Sequence, residues 1–314
     1  MRRLLSAVLS IFSAAQMVAG MAHAQAAPSS NGPEASITQV VDVLGQERRY
    51  TVHAPAGSGT QPLPAVVVLH GMGGTAFQIE SYFGLDAVAD RERFIAVYPQ
   101  GLESFWGDVR FPDQPDAAKL KSQQDVAFLN VMAADLAAKG LADPKRIYLA
   151  GVSNGGVMVS TMACLSPKKF AAFAVIVATA PVLARQMCHA AKPRPLLLMN
   201  GTTDPINFWE AERAEKIGYL GGDDFFTLWS QLNGCWGREE SELPDVDEMD
   251  NSRVVLVRPR TCPPGGETEL YRINGGGHHP PTLEQRPSGT FRGQRNHDIE
   301  AAEVIWSFFK RFVQ

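Results

Sequence analysis

Arg146-Ile147-Tyr148-Leu149-Ala150-Gly151-Val152-Ser153-Asn154-Gly155 is an apolar run that ends in a serine set between two glycines, and residues 157–165 after it suit a helix. Where a strand turns sharply into a helix at a serine, the flanking positions have no room for side chains, and glycine fills them. Such a turn lifts the serine oxygen above the sheet. It also aims the next N–H, that of Asn154, at the same space. Alone the pentapeptide is a weak signal, because a glycine-rich turn before a helix reads the same way. Its place among the other elements gives it weight.

Residues 64–69, 94–98, 147–150, 173–177 and 196–199 are apolar runs without a polar face, as parallel strands buried on both sides must be. Residues 48–53 alternate and predict an early edge strand, and residues 268–273 predict a further alternating strand near the sheet edge. Helical patterns fall between these runs at 78–93, 125–139, 157–165, 223–233 and 300–312. The last carries Ala301, Val304, Ile305, Phe308 and Phe309 on one face. Strands alternating with helices predict an α/β fold, with a mostly parallel central sheet covered by helices on both faces.

Residues 1–24 read as a secretory signal: Arg2 and Arg3, an apolar core over residues 4–18, and Ala22-His23-Ala24 as the cleavage site near Ala24. The core is too short and too polar for a strong membrane anchor. Residues 25–36 predict a disordered leader, and 37–314 a single catalytic domain. The expected location is therefore outside the cytoplasm, in the periplasm or the medium. Removing the two signal arginines takes the formal net charge from −4 to −6. With no basic run interleaved with aromatics, nucleic acid is not an expected partner. The four cysteines, Cys164, Cys188, Cys235 and Cys262, are even in number. In an exported chain they predict two disulfides in one of three connectivities, nearest neighbours being the expected one. Each such loop of about 25 residues would contribute about 3 kcal/mol. Their spacing fits zinc poorly, so no metal is expected.

His70-Gly71-Met72-Gly73-Gly74 follows the first strong strand. A glycine turn there lets backbone N–H groups approach a reacting carbonyl, and Met72 and Asn154 are the expected donors to an oxyanion. An acid and a histidine should follow the serine in chain order. Asp204, in Asn200-Gly201-Thr202-Thr203-Asp204-Pro205, lies just past a strand, at the carboxyl edge where open α/β sheets place their sites. Asp223 and Asp224 compete but read as helix caps. His278, in Gly275-Gly276-Gly277-His278-His279-Pro280-Pro281, is the expected base for Ser153, with His279 and His297 as rivals. Trp106, Phe208 and Trp209, on loops at the same edge, are candidates for the substrate pocket together with His70 and His279.

Taken jointly, residues 70–74, Tyr98-Pro99-Gln100-Gly101, 151–155, 201–205, Asn233-Gly234-Cys235 and 275–278 resemble the secreted esterase family that joins polyhydroxybutyrate depolymerases with feruloyl and acetylxylan esterases of carbohydrate esterase family one. The resemblance spans residues 43–309. It implies an α/β-hydrolase fold and a serine carboxylesterase working through an acyl-enzyme without a cofactor. The expected partner is a small or polymer-linked ester, of feruloyl or acetyl type, with polyhydroxyalkanoate oligomers as the alternative. A prolyl-oligopeptidase-like peptidase or a non-catalytic binding protein on the same fold are weaker readings. In the family Cys262 matches the usual partner of the Asn-Gly-Cys cysteine. The chain departs from the family pattern at Asn200, often a histidine there, and at His279-Pro280-Pro281, where Thr-Trp-Pro is usual. The second departure removes a tryptophan from the pocket wall.

Overall fold

A run such as Val66-Val67-Val68-Leu69 can be buried only if both faces of its strand are covered, and the structure covers both. The computed structural model describes residues 36–59, 61–189, 193–286 and 291–314; the expected signal segment and nearly all of the leader lie outside them. The strands are β1 (Ile37–Val43), β2 (Gln46–His53), β3 (Leu63–Leu69), β4 (Ile95–Pro99), β5 (Ala142–Val152), β6 (Phe173–Ile176), β7 (Leu196–Gly201), β8 (Glu239–Glu242), β9 (Arg253–Arg258) and β10 (Thr268–Asn274). They form one sheet in the order β1-β2-β4-β3-β5-β6-β7-β10-β9-β8. From β4 to β10 every neighbouring pair is parallel, while β1/β2, β2/β4, β9/β10 and β8/β9 are antiparallel. The sheet is thus mixed and mostly parallel.

Eight helices accompany it among the described residues: α1 (Ala76–Phe83), α2 (Leu85–Glu92), α3 (Asp116–Ala138), α4 (Asn154–Leu165), α5 (Ala184–Met187), α6 (Ala211–Lys216), α7 (Gly222–Leu232) and α8 (Ala301–Phe309). Alternate residues of β3 feed two cores. Val67 and Leu69 pack with α3, α4 and α7, while Val66 and Val68 pack with α1, α2 and α8. No helix among the described residues is long and apolar enough to cross a membrane.

The structure differs from the sequence expectations at the sheet margins. Residues 48–53 are not the edge, because β1 pairs outside β2. Likewise β8 and β9 extend the sheet beyond β10. The helix expected over 78–93 is two, broken at Gly84, whose left-handed φ of 77° ends α1. Asp223 and Asp224 lie in the first turn of α7 rather than capping it, and pair with Arg238 and Arg185. Cys164–Cys188 and Cys235–Cys262 are bonded, the nearest-neighbour pairing.

One buried ion pair joins the layers beneath the site. Arg48 on β2 and Asp125 on α3 meet at 2.8 Å with side chains 1% and 0% exposed. The second oxygen of Asp125 accepts the Gly107 N–H at 2.8 Å, and the Arg48 guanidinium lies 4.0 Å over the Phe128 ring. Burial draws the Arg48 guanidinium below its ordinary range, against the pull of Asp125. Removing one partner strands a charge in the core. We expect Asp125→Ala to lose about 3–5 kcal/mol in urea unfolding, and Arg48→Met/Asp125→Leu to lose much less. A loss below about 1 kcal/mol for the single variant would show the pair to be dispensable.

Candidate active site

Ser153 occupies the one residue between β5 and α4, with φ 55° and ψ −122°. That backbone is costly for a residue with a side chain, by about 1–3 kcal/mol, and is kept only where its surroundings enforce it. The enforcement is visible at Gly155. A Cβ there would lie 2.5 Å from the His70 carbonyl oxygen and 2.7 Å from that of Leu69, so only glycine lets α4 start so close to β3. The turn is tied to the sheet by Ser153 N–H, which donates to Ile176 O at 2.9 Å.

Around that serine the structure brings together residues from three loops at one end of the sheet. His278 Nε2 lies 2.9 Å from Ser153 Oγ, and His278 Nδ1 lies 2.7 Å from Asp204 Oδ2. A carboxylate accepts, so Nδ1 carries the proton and Nε2 is left to accept from the serine hydroxyl. The other Asp204 oxygen accepts the N–H groups of Ile206 and Asn207, each at 2.8 Å, which fixes the carboxylate in the turn after β7. The His278 loop is held from behind, where His278 N–H donates to Arg292 O at 2.6 Å. A Cβ at Gly277 would lie 2.2 Å from that same oxygen, which explains a glycine before the histidine.

The rival His297, and His53 and His70 earlier in the chain, are engaged elsewhere. His297 is buried with Nδ1 2.8 Å from Thr282 O, and His53 pairs with Asp90 at 2.9 Å. His70 accepts the Gly101 N–H on Nε2 at 3.0 Å, and its Nδ1 therefore donates to Gly71 O at 2.8 Å. Burial lowers its pKa, so it stays neutral, and both ring nitrogens are used in shaping the loop.

That loop carries the expected oxyanion donors. Among the described residues neither Met72 N–H nor Asn154 N–H has a hydrogen-bond acceptor. Their neighbours are braced instead. Gly73 N–H donates to Ser104 O at 2.8 Å, and Gln100 accepts the Ala76 N–H on Oε1 at 2.9 Å. The Asn154 side chain clasps the Trp106 backbone twice, accepting its N–H at 2.7 Å and donating to its oxygen at 3.0 Å.

Ser153 and His278 open onto a cleft of about 630 Å³ whose walls include Met72, Gln78, Tyr82, Ile206, His279, Arg286, Arg292 and Arg295. His70 and His279 reach it as expected. Trp106, Phe208 and Trp209 do not line it. Trp106 is fully buried, and its ring N–H donates to His70 O at 3.0 Å, so it backs the loop from inside the core. Phe208 lies beneath the Arg213 guanidinium at 4.0 Å, and Trp209 packs over Gly222. Among the wall residues that sequence reading missed are the three arginines and Tyr82. Their signal was three arginines within ten positions, 286 to 295, close after the histidine loop.

The fold and this serine–histidine–aspartate arrangement define an α/β-hydrolase. An acetyl xylan esterase from Aspergillus awamori superposes with a TM-score of 0.55 at 15% identity, over 77% of this chain and 94% of that one. Residues 48–211 match the family described as Esterase PHB depolymerase, and the chain belongs to that family. A putative esterase, NocK, of Nocardia uniformis is 33% identical over 174 residues, covering 53% of this chain; the chain spans 48% of that protein's length. Feruloyl esterase D of Neurospora crassa is 25% identical over 309 residues, 92% of each chain. Poly(3-hydroxyalkanoate) depolymerase C of Paucimonas lemoignei is 27% identical over 245 residues, 73% of this chain and 58% of that one.

Proposed function

We propose that the protein is a serine carboxylesterase, exported by its first 24 residues, with Ser153, His278 and Asp204 as its catalytic residues. The observation that carries this is the continuous relay Ser153 Oγ–His278–Asp204, with links of 2.9 and 2.7 Å, at the mouth of a cleft. In that reading Ser153 Oγ attacks the ester carbonyl while His278 Nε2 takes its proton. Met72 N–H and Asn154 N–H receive the oxygen that becomes negative. His278 then returns the proton to the leaving alcohol, and water repeats the sequence on the acyl-enzyme. Asp204 holds the tautomer and stabilises the imidazolium. The two disulfides suit an oxidising compartment.

The cleft walls favour the hydroxyalkanoate alternative over a hydroxycinnamoyl ester. Among the described lining residues Tyr82 is the one phenylalanine, tyrosine or tryptophan, and the three tryptophan and phenylalanine candidates face elsewhere. A flat aroyl group would be expected between aromatic walls. A panel of 4-nitrophenyl acetate, butyrate and 3-hydroxybutyrate with methyl ferulate tests this. The expected order of kcat/KM places the short acyl and hydroxyacyl esters at least about tenfold above ferulate, a difference of about 1.4 kcal/mol. A ferulate preference would restore the aroyl reading, and inertness toward all four would sink the esterase itself.

A further inference from the structure

The cleft beside Ser153 is charged, and simple ester hydrolysis has no use for that charge. Among the described residues its lining includes Arg286, Arg292 and Arg295 and no carboxylate side chain. Asp204 lies behind His278, already engaged by the imidazole and two N–H groups. Arg286 is balanced by Glu284 and donates to Tyr82 O. Arg295 donates to His279 Nδ1 at 3.0 Å and to Pro280 O at 3.1 Å, with Glu300 in its electrostatic surroundings. The Arg292 guanidinium meets no carboxylate among the described residues, and its residue is exposed.

The Arg295–His279 contact settles a tautomer. A guanidinium only donates, so His279 Nδ1 must accept, and the proton of the neutral ring resides on Nε2. Burial, with Arg295 and Arg292 alongside, pushes the His279 pKa down to about 4, which keeps the ring neutral. His279 is 7% exposed, lines the cleft, and its Nε2–H has no acceptor among the described residues. A buried N–H donor without an acceptor is unfavourable unless a ligand supplies one. Two guanidinium groups thus line the cleft close to the His279 ring, whose buried Nε2–H lacks an acceptor among the described residues.

We propose that Arg292, Arg295 and His279 form a carboxylate subsite, so that the esters this enzyme selects carry an acid group on the part of the molecule lying against these residues. The inference rests on the esterase reading. Bidentate guanidinium–carboxylate bonds give such a site both strength and direction. Two sources share this chemistry: a short hydroxyalkanoate oligomer with a free acid end, and an ester borne on a uronic acid.

The test uses matched pairs on the purified exported protein. One pair is the 3-hydroxybutyrate dimer and its primary amide; the other is acetylated glucuronic acid and acetylated glucose. We expect the acid member of at least one pair to be favoured by about tenfold or more in kcat/KM, mainly through KM, and the preference to shrink in high salt. Arg292→Gln should collapse that ratio and Arg292→Lys should recover part of it. Preference in the first pair assigns the oligomer, and in the second the uronate. Equal turnover within both pairs, or a ratio untouched by Arg292→Gln, overturns the subsite while leaving the esterase standing. No turnover of these substrates or of 4-nitrophenyl acetate overturns both.

Discussion

Ser153→Ala should lower the hydrolysis of 4-nitrophenyl acetate by about 10⁴-fold or more, because the variant lacks the oxygen that forms the acyl-enzyme. The fold should survive. Ser153 Oγ makes its hydrogen bond to His278, and the turn itself is held by the Ser153 N–H and by the close approach at Gly155. The positive φ of 55° gives a second readout that activity does not contain. Glycine adopts this region without a Cβ penalty, so Ser153→Gly should be equally inactive yet about 1 kcal/mol more stable than Ser153→Ala in urea unfolding. An alanine variant that keeps more than a few per cent of activity would remove Ser153 from the nucleophile's role. A glycine variant less stable than alanine would mean that the turn is not strained.

Much of the candidate site is legible in the sequence, and the reasons are local. Gly151, Ser153 and Gly155 follow directly from the strand, so one stretch of sequence fixes the turn. Asp204 and His278 each come just after a strand, β7 and β10, and the parallel order of the sheet brings those ends together. The margins were harder to read. β8 is Glu239-Glu240-Ser241-Glu242, wholly exposed, and it is a strand only because β9 offers it a ladder. No apolar pattern announces such a strand. The pocket was misread for a different reason. Trp106 stands on a loop in sequence, yet its ring is buried against His70 and Phe128. Position in a loop does not tell which way a side chain points. Conversely, Arg292 and Arg295 reach the cleft because the segment after Pro281 folds back on the His278 loop, through Gly277 N–H to Gln294 O and His278 N–H to Arg292 O. Those contacts cross loops and leave no periodic trace.

The adjacent histidines provide the sharpest separation of roles. His278→Ala should lower kcat about as far as Ser153→Ala, by about 10⁴-fold or more, since the members of such a relay act as a unit and their losses do not add. The double variant Ser153→Ala/His278→Ala should then be little worse than either single one. His279→Ala should leave kcat on a neutral aryl ester within about tenfold of wild type, because its ring contacts Arg295 rather than the serine. Its pKa of about 4 adds a pH test with a definite sign. Because that folded value lies below the ordinary histidine value, the ring is already neutral above pH 5, and any limb of the kcat/KM profile between pH 5 and 8 must come from another group. The limb should therefore persist in His279→Ala at an unchanged position. If His279→Ala were the inactive variant, or if it erased that limb while His278→Ala kept it, the base would be His279. The 2.9 Å contact between His278 and Ser153 would then be structural rather than catalytic.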